Sequence, residues 1–202
     1  MFETACEYFS QGGFIIWPIL ILSLVMWILI MERVFYMQGE KRDGIYILNE
    51  FIKAFNKRSR EAILETNYKY DCIIAKVLER VFISGIKTNK IDKDLLKVAI
   101  MEELPNLDKY IPIINVLAAA APLLGLLGTV NGMITTFDVI SIWGTGSPKS
   151  LAGGISEALI TTQVGLIVAV PGLFAAFQLQ KKAEAIKYEF HKINLRMNSI
   201  GI

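Results

Sequence analysis

The run Phe14–Met31, FIIWPILILSLVMWILIM, decides the class of this protein, because Ser23 is its only polar side chain. A helix rises about 1.5 Å per residue, so the roughly 20 residues that cross a bilayer are reached once the aromatic flanks are included. A secretory signal would carry a basic start and a small-residue cleavage site, whereas this run follows Glu3 and Glu7. The run is therefore predicted to be a retained membrane span.

Two further uncharged runs, residues 111–137 and 158–180, are also too long for ordinary core helices. Hydrophobic residues make up 53% of the 202-residue chain, which is unusual for a soluble domain. The net charge of +2 without a basic block gives no support for nucleic-acid binding, and two cysteines with one histidine favour neither a disulfide framework nor a zinc site. We predict an all-α membrane protein with three transmembrane helices.

The placement of lysine and arginine predicts the orientation of the spans. No basic residue precedes the first span, and only Lys149 lies between the second and the third. Basic residues follow the first and third spans: Arg33, Lys41, Arg42, Lys181, Lys182, Lys187, Lys192 and Arg196. Because basic residues collect on the cytoplasmic side, the N-terminus is predicted outside, and the middle segment and the C-terminal tail inside.

The segment between the first two spans is predicted to be a cytoplasmic helical domain. Apolar residues recur there at three-and-four spacing: Ile45, Leu48, Phe51, Ile52 and Phe55, then Ile74, Val77, Leu78, Val81 and Phe82. Asp92 is a candidate cap for a further helix through Met101 that runs on toward the membrane, with Pro105 and Pro112 as kinks.

These features divide the chain into four parts. They are an N-terminal segment with the first span (1–37), a cytoplasmic helical domain (38–110), the second and third spans (111–180) and a cytoplasmic C-terminal helix (181–202).

Small residues form a stripe on each of the last two spans. The stripes are Ala118, Ala121, Gly125, Gly128 and Gly132, then Ala158, Thr162, Gly165, Ala169, Gly172 and Ala176. Small side chains let backbones approach closely, which is how helices associate in lipid. Packing alone explains the glycines, although the stripes also fit an assembly of several copies.

Polar side chains in these spans are candidates for a pore lining. Asn115, Thr129 and Thr136 lie on one seven-residue stripe of the second span, which Pro122 completes, and Asn131 and Asp138 form a neighbouring strip with Thr135. A threonine hydroxyl can bond back to its own helix, so a single threonine is tolerated in lipid. A row of polar side chains would instead make a narrow, partly wettable lining, and Asp138 is near enough to the interface to be simply solvated.

Glu157 precedes two hydroxyls, Thr161 and Thr162, at the start of the third uncharged run. A carboxylate centred in lipid costs at least about 2.5 kcal/mol, so such residues usually face a cavity or a partner. Stabilisation by the N-terminal dipole of the third helix is the alternative. We favour a functional role over this capping role because hydroxyls follow the carboxylate into the membrane.

Two long motifs carry a resemblance to a known family. The first motif is APLLGLLGTVNGMITTF (121–137), and the second is LAGGISEALITTQVGLIVAVPGL (151–173). Both resemble the MotA/TolQ/ExbB proton-channel family, in its ExbB/TolQ branch. The resemblance covers about residues 111–180 and agrees with three spans and an outside N-terminus.

The resemblance implies a multi-pass protein of the bacterial inner membrane. It implies a homopentamer whose second and third spans line a pore around a dimer of single-span partners of the ExbD or TolR type. Proton flow then drives work that a TonB- or TolA-like protein delivers to the outer membrane. No enzyme activity, cofactor or metal is expected.

Three residues match pore positions of the family. They are Thr129 in the GTV motif, Glu157 in the G-I-x-E-A-L motif, and Thr162. Glu157 and Thr162 are five residues apart, so they cannot point in the same direction, and Glu157 is expected at a subunit contact or a proton entry. Other possible lining residues are Asn115, Asn131, Thr136, Thr161 and Asp138.

Several alternatives remain at this point. An enzyme is disfavoured because the loop 144–150 lacks features of a phosphate loop and no histidine lies in the spans. A membrane scaffold would explain the glycines but does not require the threonines and Glu157. A flagellar stator subunit usually has four spans, and ExbB-type and TolQ-type roles are not separated by the sequence.

Overall fold

The computed structural model describes residues 13–37, 44–56, 60–70, 72–88, 93–144 and 148–199. This described part is almost entirely α-helical. Its helices are α1 (Ile16–Tyr36), α2 (Gly44–Asn56), α3 (Arg60–Tyr70), α4 (Ile73–Thr88), α5 (Lys93–Asp108), α6 (Ile111–Trp143) and α7 (Pro148–Ser199). Asp92, the candidate cap, and Cys6 lie outside the described residues.

The three predicted spans are confirmed as three helices long and apolar enough to cross a membrane. They are α1, α6 and α7. Helix α7 is longer than the apolar run predicts, because it begins at Pro148 and continues through the charged tail to Ser199. Proline is suited to the first turn of a helix, where its missing N–H would have had no partner.

The chain folds as two compact units. The span unit comprises Met1–Met31 and Pro112–Phe177, and the bundle unit comprises Glu32–Ile111 and Gln178–Ile202. In the span unit, α1 contributes Met26, whose side chain is fully buried. A Cβ atom added at Gly172 of α7 would lie 2.7 Å from Met26 Cε and 3.1 Å from Ala118 Cβ of α6. Gly172 therefore provides the space in which the three helices pack.

The bundle unit has a conventional core of large apolar side chains. Phe82 of α4 packs against Phe51 and Phe55 of α2, with ring centroids 5.7 Å apart in both pairs. The apolar periodicity predicted for α2 and α4 is thereby confirmed. The N–H of Gly44, the first residue of α2, donates to Glu189 Oε2 of α7 at 2.9 Å. A carboxylate at a helix N-terminus satisfies an otherwise free donor and suits the helix dipole.

The end of α5 differs from the predicted kinks. Helix α5 passes through Pro105 and ends at Asp108, and Tyr110 adopts a left-handed backbone with φ of 66° before α6 begins at Ile111. Pro112 thus lies in the first turn of α6, where it starts a helix and does not bend one. The predicted kink at Pro112 is wrong, and the turn at Tyr110 takes its place.

Candidate proton pathway

Helices α6 and α7 of the span unit approach each other through glycine. A Cβ atom added at Gly165 of α7 would lie 2.7 Å from the carbonyl oxygen of Ala121 and 3.2 Å from Gly125 Cα. A Cβ atom added at Gly125 would lie 3.1 Å from Thr162 Cα. The two small-residue stripes therefore pack on each other within one chain. They do not by themselves indicate contacts between copies.

The carbonyl oxygen of Gly125 receives hydroxyls from the neighbouring helix. Thr162 Oγ1 donates toward Gly125 O at 3.3 Å and toward Ala158 O of its own helix at 3.4 Å. Thr161 Oγ1 donates to Ala158 O at 2.8 Å and lies 3.5 Å from Gly125 O. Both distances for Thr162 are at the long end for a hydroxyl donor, so its proton is only weakly held.

Thr129 lies one helical turn after Gly125 on α6 and is half-buried. Its hydroxyl donates to Leu126 O at 2.7 Å, a short bond that holds the proton against its own helix. The oxygen keeps its lone pairs for an incoming donor. Thr129 is therefore one helical turn along α6 from the Gly125 carbonyl that Thr162 contacts, with the hydroxyl of Thr129 placed as an acceptor and that of Thr162 as a weakly held donor.

Glu157 lies on a different face of α7 from Thr162. Five residues correspond to a rotation of about 140° around a helix. The carboxyl group of Glu157 lies over Gly13, in the turn that precedes α1: a Cβ atom added there would be 2.8 Å from Glu157 Cδ. Glu157 is thus not brought together with the two threonines in one chain.

The capping alternative for Glu157 is wrong. Helix α7 begins at Pro148, about two and a half turns earlier, whereas the dipole effect fades within the first turn.

The other candidate residues divide into buried and exposed positions. Thr136 and Thr161 are buried, 4% and 1% exposed, in the contact between α6 and α7. Asn115 is half-buried, and Asn131 and Asp138 are exposed. Within one chain, Thr136 and Thr161 face the neighbouring helix, whereas Asn131 and Asp138 face outward. Among the described residues, no group of three or more histidine, cysteine, aspartate or glutamate side chains could hold a metal.

Sequence reasoning missed the role of Arg33 in the bundle unit. Its side chain is buried, and Nη1 donates to Asn106 O, a carbonyl of the last turn of α5, at 2.8 Å. The guanidinium lies between the rings of Tyr36 and Tyr110, 5.0 and 4.9 Å from their centroids. Its Nε also donates to Glu32 at 2.8 Å. A basic residue after a span indicated only orientation, because Asn106 and Tyr110, two of its partners, are distant in sequence.

Most of the chain matches a known protein family. Residues 67–192 match the model of the MotA/TolQ/ExbB proton channel family, and this range includes all of α6 and the threonine and glutamate motifs. The chain belongs to that family. As a member, it is a multi-pass membrane protein of a proton channel family and not of an enzyme family.

Similar proteins of known description agree with this membership. The chain is 30% identical to the biopolymer transport protein ExbB-like 3 of Synechocystis sp. over 168 residues, 82% of this chain and 80% of that protein. It is 28% identical to biopolymer transport protein exbB1 of Vibrio cholerae over 99% of this chain and 91% of that protein.

A shorter match links the chain to TolQ. The Tol-Pal system protein TolQ of Haemophilus influenzae is 32% identical over 95 residues, 47% of this chain and 42% of that protein. Relatives of both descriptions place the chain in the ExbB/TolQ branch of the family.

Proposed function

We propose that this protein is a proton-channel subunit of the bacterial inner membrane that converts proton motive force into mechanical work for TonB-dependent import at the outer membrane. It acts with a single-span partner of the ExbD or TolR type and has no enzyme activity of its own. The observation that carries the proposal is the pair of hydroxyls within the segment that the family model covers: Thr162 contacts the Gly125 carbonyl, and Thr129 lies one helical turn further along α6.

The two hydroxyls suit the two states of a carboxyl group on the partner. Thr129 has its proton engaged by Leu126 at 2.7 Å, so its oxygen can accept a hydrogen bond from the protonated acid. Thr162 holds its proton through contacts of 3.3 and 3.4 Å, so it can turn and donate to the ionised acid. In a medium that solvates charge poorly, such a donor lowers the free energy of the ionised form without fixing that form permanently.

The assembly proposed is a homopentamer around a dimer of the partner, with a TonB- or TolA-like protein receiving the work. The small-residue faces of α6 and α7 are already occupied within one chain, so contacts between copies would use the remaining apolar surfaces of these helices. Large apolar side chains are exposed there, among them Leu126, Val130, Ile167, Val170 and Phe174. Native mass spectrometry of the complex in mild detergent should find five copies of this chain, and a stable monomer or dimer as the sole species would contradict this stoichiometry.

The proposed pathway is tested by removing both hydroxyls. Thr129→Val together with Thr162→Val keeps the shape and should lower proton-driven uptake at least about tenfold, because a hydrogen bond to a charged group contributes about 1.5–3 kcal/mol. The amount of assembled complex should stay unchanged. Full uptake by the double valine variant would show that these hydroxyls serve packing only.

Thr66→Val is the matched control for this experiment. Its hydroxyl donates to Ala62 O of its own helix at 2.7 Å, as that of Thr129 does to Leu126 O, but Thr66 lies in α3 of the bundle unit, outside the proposed channel region. We expect uptake within about twofold of the parent protein, because this hydroxyl lies outside the proposed pathway. Serine at 129 or 162 retains a hydroxyl and should preserve most of the activity.

The proposed topology places the N-terminus outside, and residues 38–110 and 181–202 in the cytoplasm, with 111–180 forming the channel region. An impermeant thiol reagent on intact cells should label Cys6 but not a cysteine introduced at Tyr68, a position 89% exposed in α3. Cys72 is buried and should be replaced by serine in both samples, and Cys6 should also be replaced by serine in the Tyr68→Cys sample. Selective labelling at position 68 would reverse the orientation.

A Tol–Pal role in envelope integrity is the second candidate. It is favoured by matches to TolQ of Haemophilus influenzae and to TolQ of Pseudomonas aeruginosa, the latter 31% identical over 91 residues. Deletion of the gene should distinguish the roles: loss of energy-dependent uptake indicates the TonB system, whereas leakage of periplasmic proteins with normal uptake indicates the Tol–Pal system.

A further inference from the structure

The contact between Glu157 and the turn before α1 is the strongest unexplained feature of the span unit. Gly13 has φ of +65°, and its α-carbon is covered by the Glu157 carboxyl group. A Cβ atom at this position would lie 2.8 Å from Glu157 Cδ and 3.6 Å from Cγ. Position 13 therefore combines a left-handed backbone with a carboxyl group where a side chain would begin.

We propose that Glu157 is a positioning residue that holds the turn 13–15, and with it the outer end of α1, against α7. Gly13 is the residue that Glu157 contacts, and only glycine at this position leaves room for the carboxyl group. The proposal rests on the proposed channel function, and it gives the glutamate of the G-I-x-E-A-L motif a task separate from that of Thr129 and Thr162.

The electrostatics of the contact favour a carboxylate. The turn leads directly into α1, which begins at Ile16, so the carboxyl group of Glu157 stands near the positive end of the α1 dipole. In a low-dielectric surrounding this attraction is stronger than in water. The attraction offsets part of the hydration free energy that a carboxylate loses on leaving water. That loss is smaller here because Glu157 is only half-buried.

A cysteine pair tests the contact independently of transport. Gly13→Cys with Glu157→Cys, in a protein lacking Cys6 and Cys72, should form a disulfide within one chain when the complex is oxidised, because the Cβ at position 13 would lie 3.6 Å from the atom that the new sulfur replaces. Gly144→Cys with Glu157→Cys is the control, since nothing lies within 4 Å of a Cβ at Gly144. Absence of the first cross-link, or a cross-link that joins two chains, overturns the proposal whatever the channel does.

Alanine substitutions test whether the contact matters for function. Gly13→Ala should expel the carboxyl group of Glu157 and lower proton-driven uptake about tenfold, while the assembled complex persists because a flexible side chain can move aside. Gly144→Ala is the matched control: Gly144 shares φ of +65° but has open space around it. It carries the same backbone strain, about 1–2 kcal/mol, and should leave uptake within about twofold. Equal uptake by the two alanine variants contradicts the proposal.

Rescue by a shorter carboxylate separates positioning from a general loss of packing. Glu157→Asp withdraws the carboxyl group by about 1.5 Å, one carbon–carbon bond, which is the length that Gly13→Ala adds. The double variant should recover at least about a third of the parent uptake, compared with about a tenth for Gly13→Ala alone. If Glu157 instead carried protons at a site away from Gly13, the double variant would be no better than Gly13→Ala, and the proposal would be overturned.

Discussion

The two units of the chain build their helix contacts from opposite kinds of residue. In the span unit, α6 and α7 meet through Gly125 and Gly165, where backbone atoms of one helix approach those of the other. In the bundle unit, α2 and α4 meet through Phe51 and Phe82, both fully buried. The first contact depends on the absence of side chains and the second on their size.

This difference follows from the surroundings in which each unit is proposed to fold. Water drives apolar side chains together, so a bundle gains by burying large ones. Lipid offers no such drive, and helices associate there by close van der Waals packing and interhelical hydrogen bonds. The hydroxyls that reach the Gly125 carbonyl belong to this second mode. Close backbone packing thus brings Thr162 within reach of α6.

The largest effect is expected from a side chain placed in the glycine contact. Gly165→Val would direct its Cβ to within 2.7 Å of the Ala121 carbonyl oxygen, a backbone atom that cannot rotate away. We expect α6 and α7 to separate and the complex to be lost, with more than about a tenfold fall in its amount on native gels.

Gly153→Val is the control for this experiment. A Cβ atom added at Gly153 of α7 would meet nothing within 4 Å. This variant should assemble normally, because it adds volume where there is open space. Normal assembly of Gly165→Val would show that the α6–α7 contact does not hold the span unit together.

The stability of the bundle unit should depend on large buried side chains and should fall when one is removed. Phe82→Ala removes a fully buried ring that packs on Phe51 and Phe55, and should lower the local free energy of unfolding by about 3–5 kcal/mol. Amide hydrogen exchange in α2 and α4 of the purified full chain measures this. Tyr68→Ala, at a side chain 89% exposed, should change it by less than about 0.5 kcal/mol. Equal exchange in the two variants would contradict the assigned core.

A smaller effect is expected at Arg33, where charge and aromatic packing combine. Arg33→Gln removes the guanidinium from the rings of Tyr36 and Tyr110 together with its hydrogen bond to Asn106 O. This variant should lower the local free energy of unfolding by about 2 kcal/mol. The change should appear as faster hydrogen exchange in the last turn of α5.

Arg80→Gln provides the comparison for Arg33. It breaks an exposed pair with Glu102 and should cost less than about 1 kcal/mol, an effect that added salt diminishes further. An equal loss of stability in the two arginine variants would show that burial of Arg33 adds nothing to the free energy of unfolding.

Helices α2 and α4 of the bundle unit were predictable because a single periodic signal dominates them, whereas α3 has no comparable signal and was not predicted. Apolar residues at three-and-four spacing located α2 and α4, since one face of each must leave water. The break after α5 was not predictable, because two prolines suggested kinks whereas Tyr110 takes the left-handed backbone. Arg33 holds the preceding turn through Asn106, and a contact 73 residues apart in the chain leaves no local pattern.

The sequence by itself determined the three spans, the family and the threonine and glutamate motifs, because hydrophobic length and residue spacing are properties of one segment at a time. Spacing also determined that Glu157 and Thr162 point in different directions. Only the tertiary structure decided which neighbour each one meets: the Gly125 carbonyl for Thr162 and the turn at Gly13 for Glu157. Helix geometry sets the angle between two side chains, but the helix that lies at each angle is chosen by the packing of the whole unit.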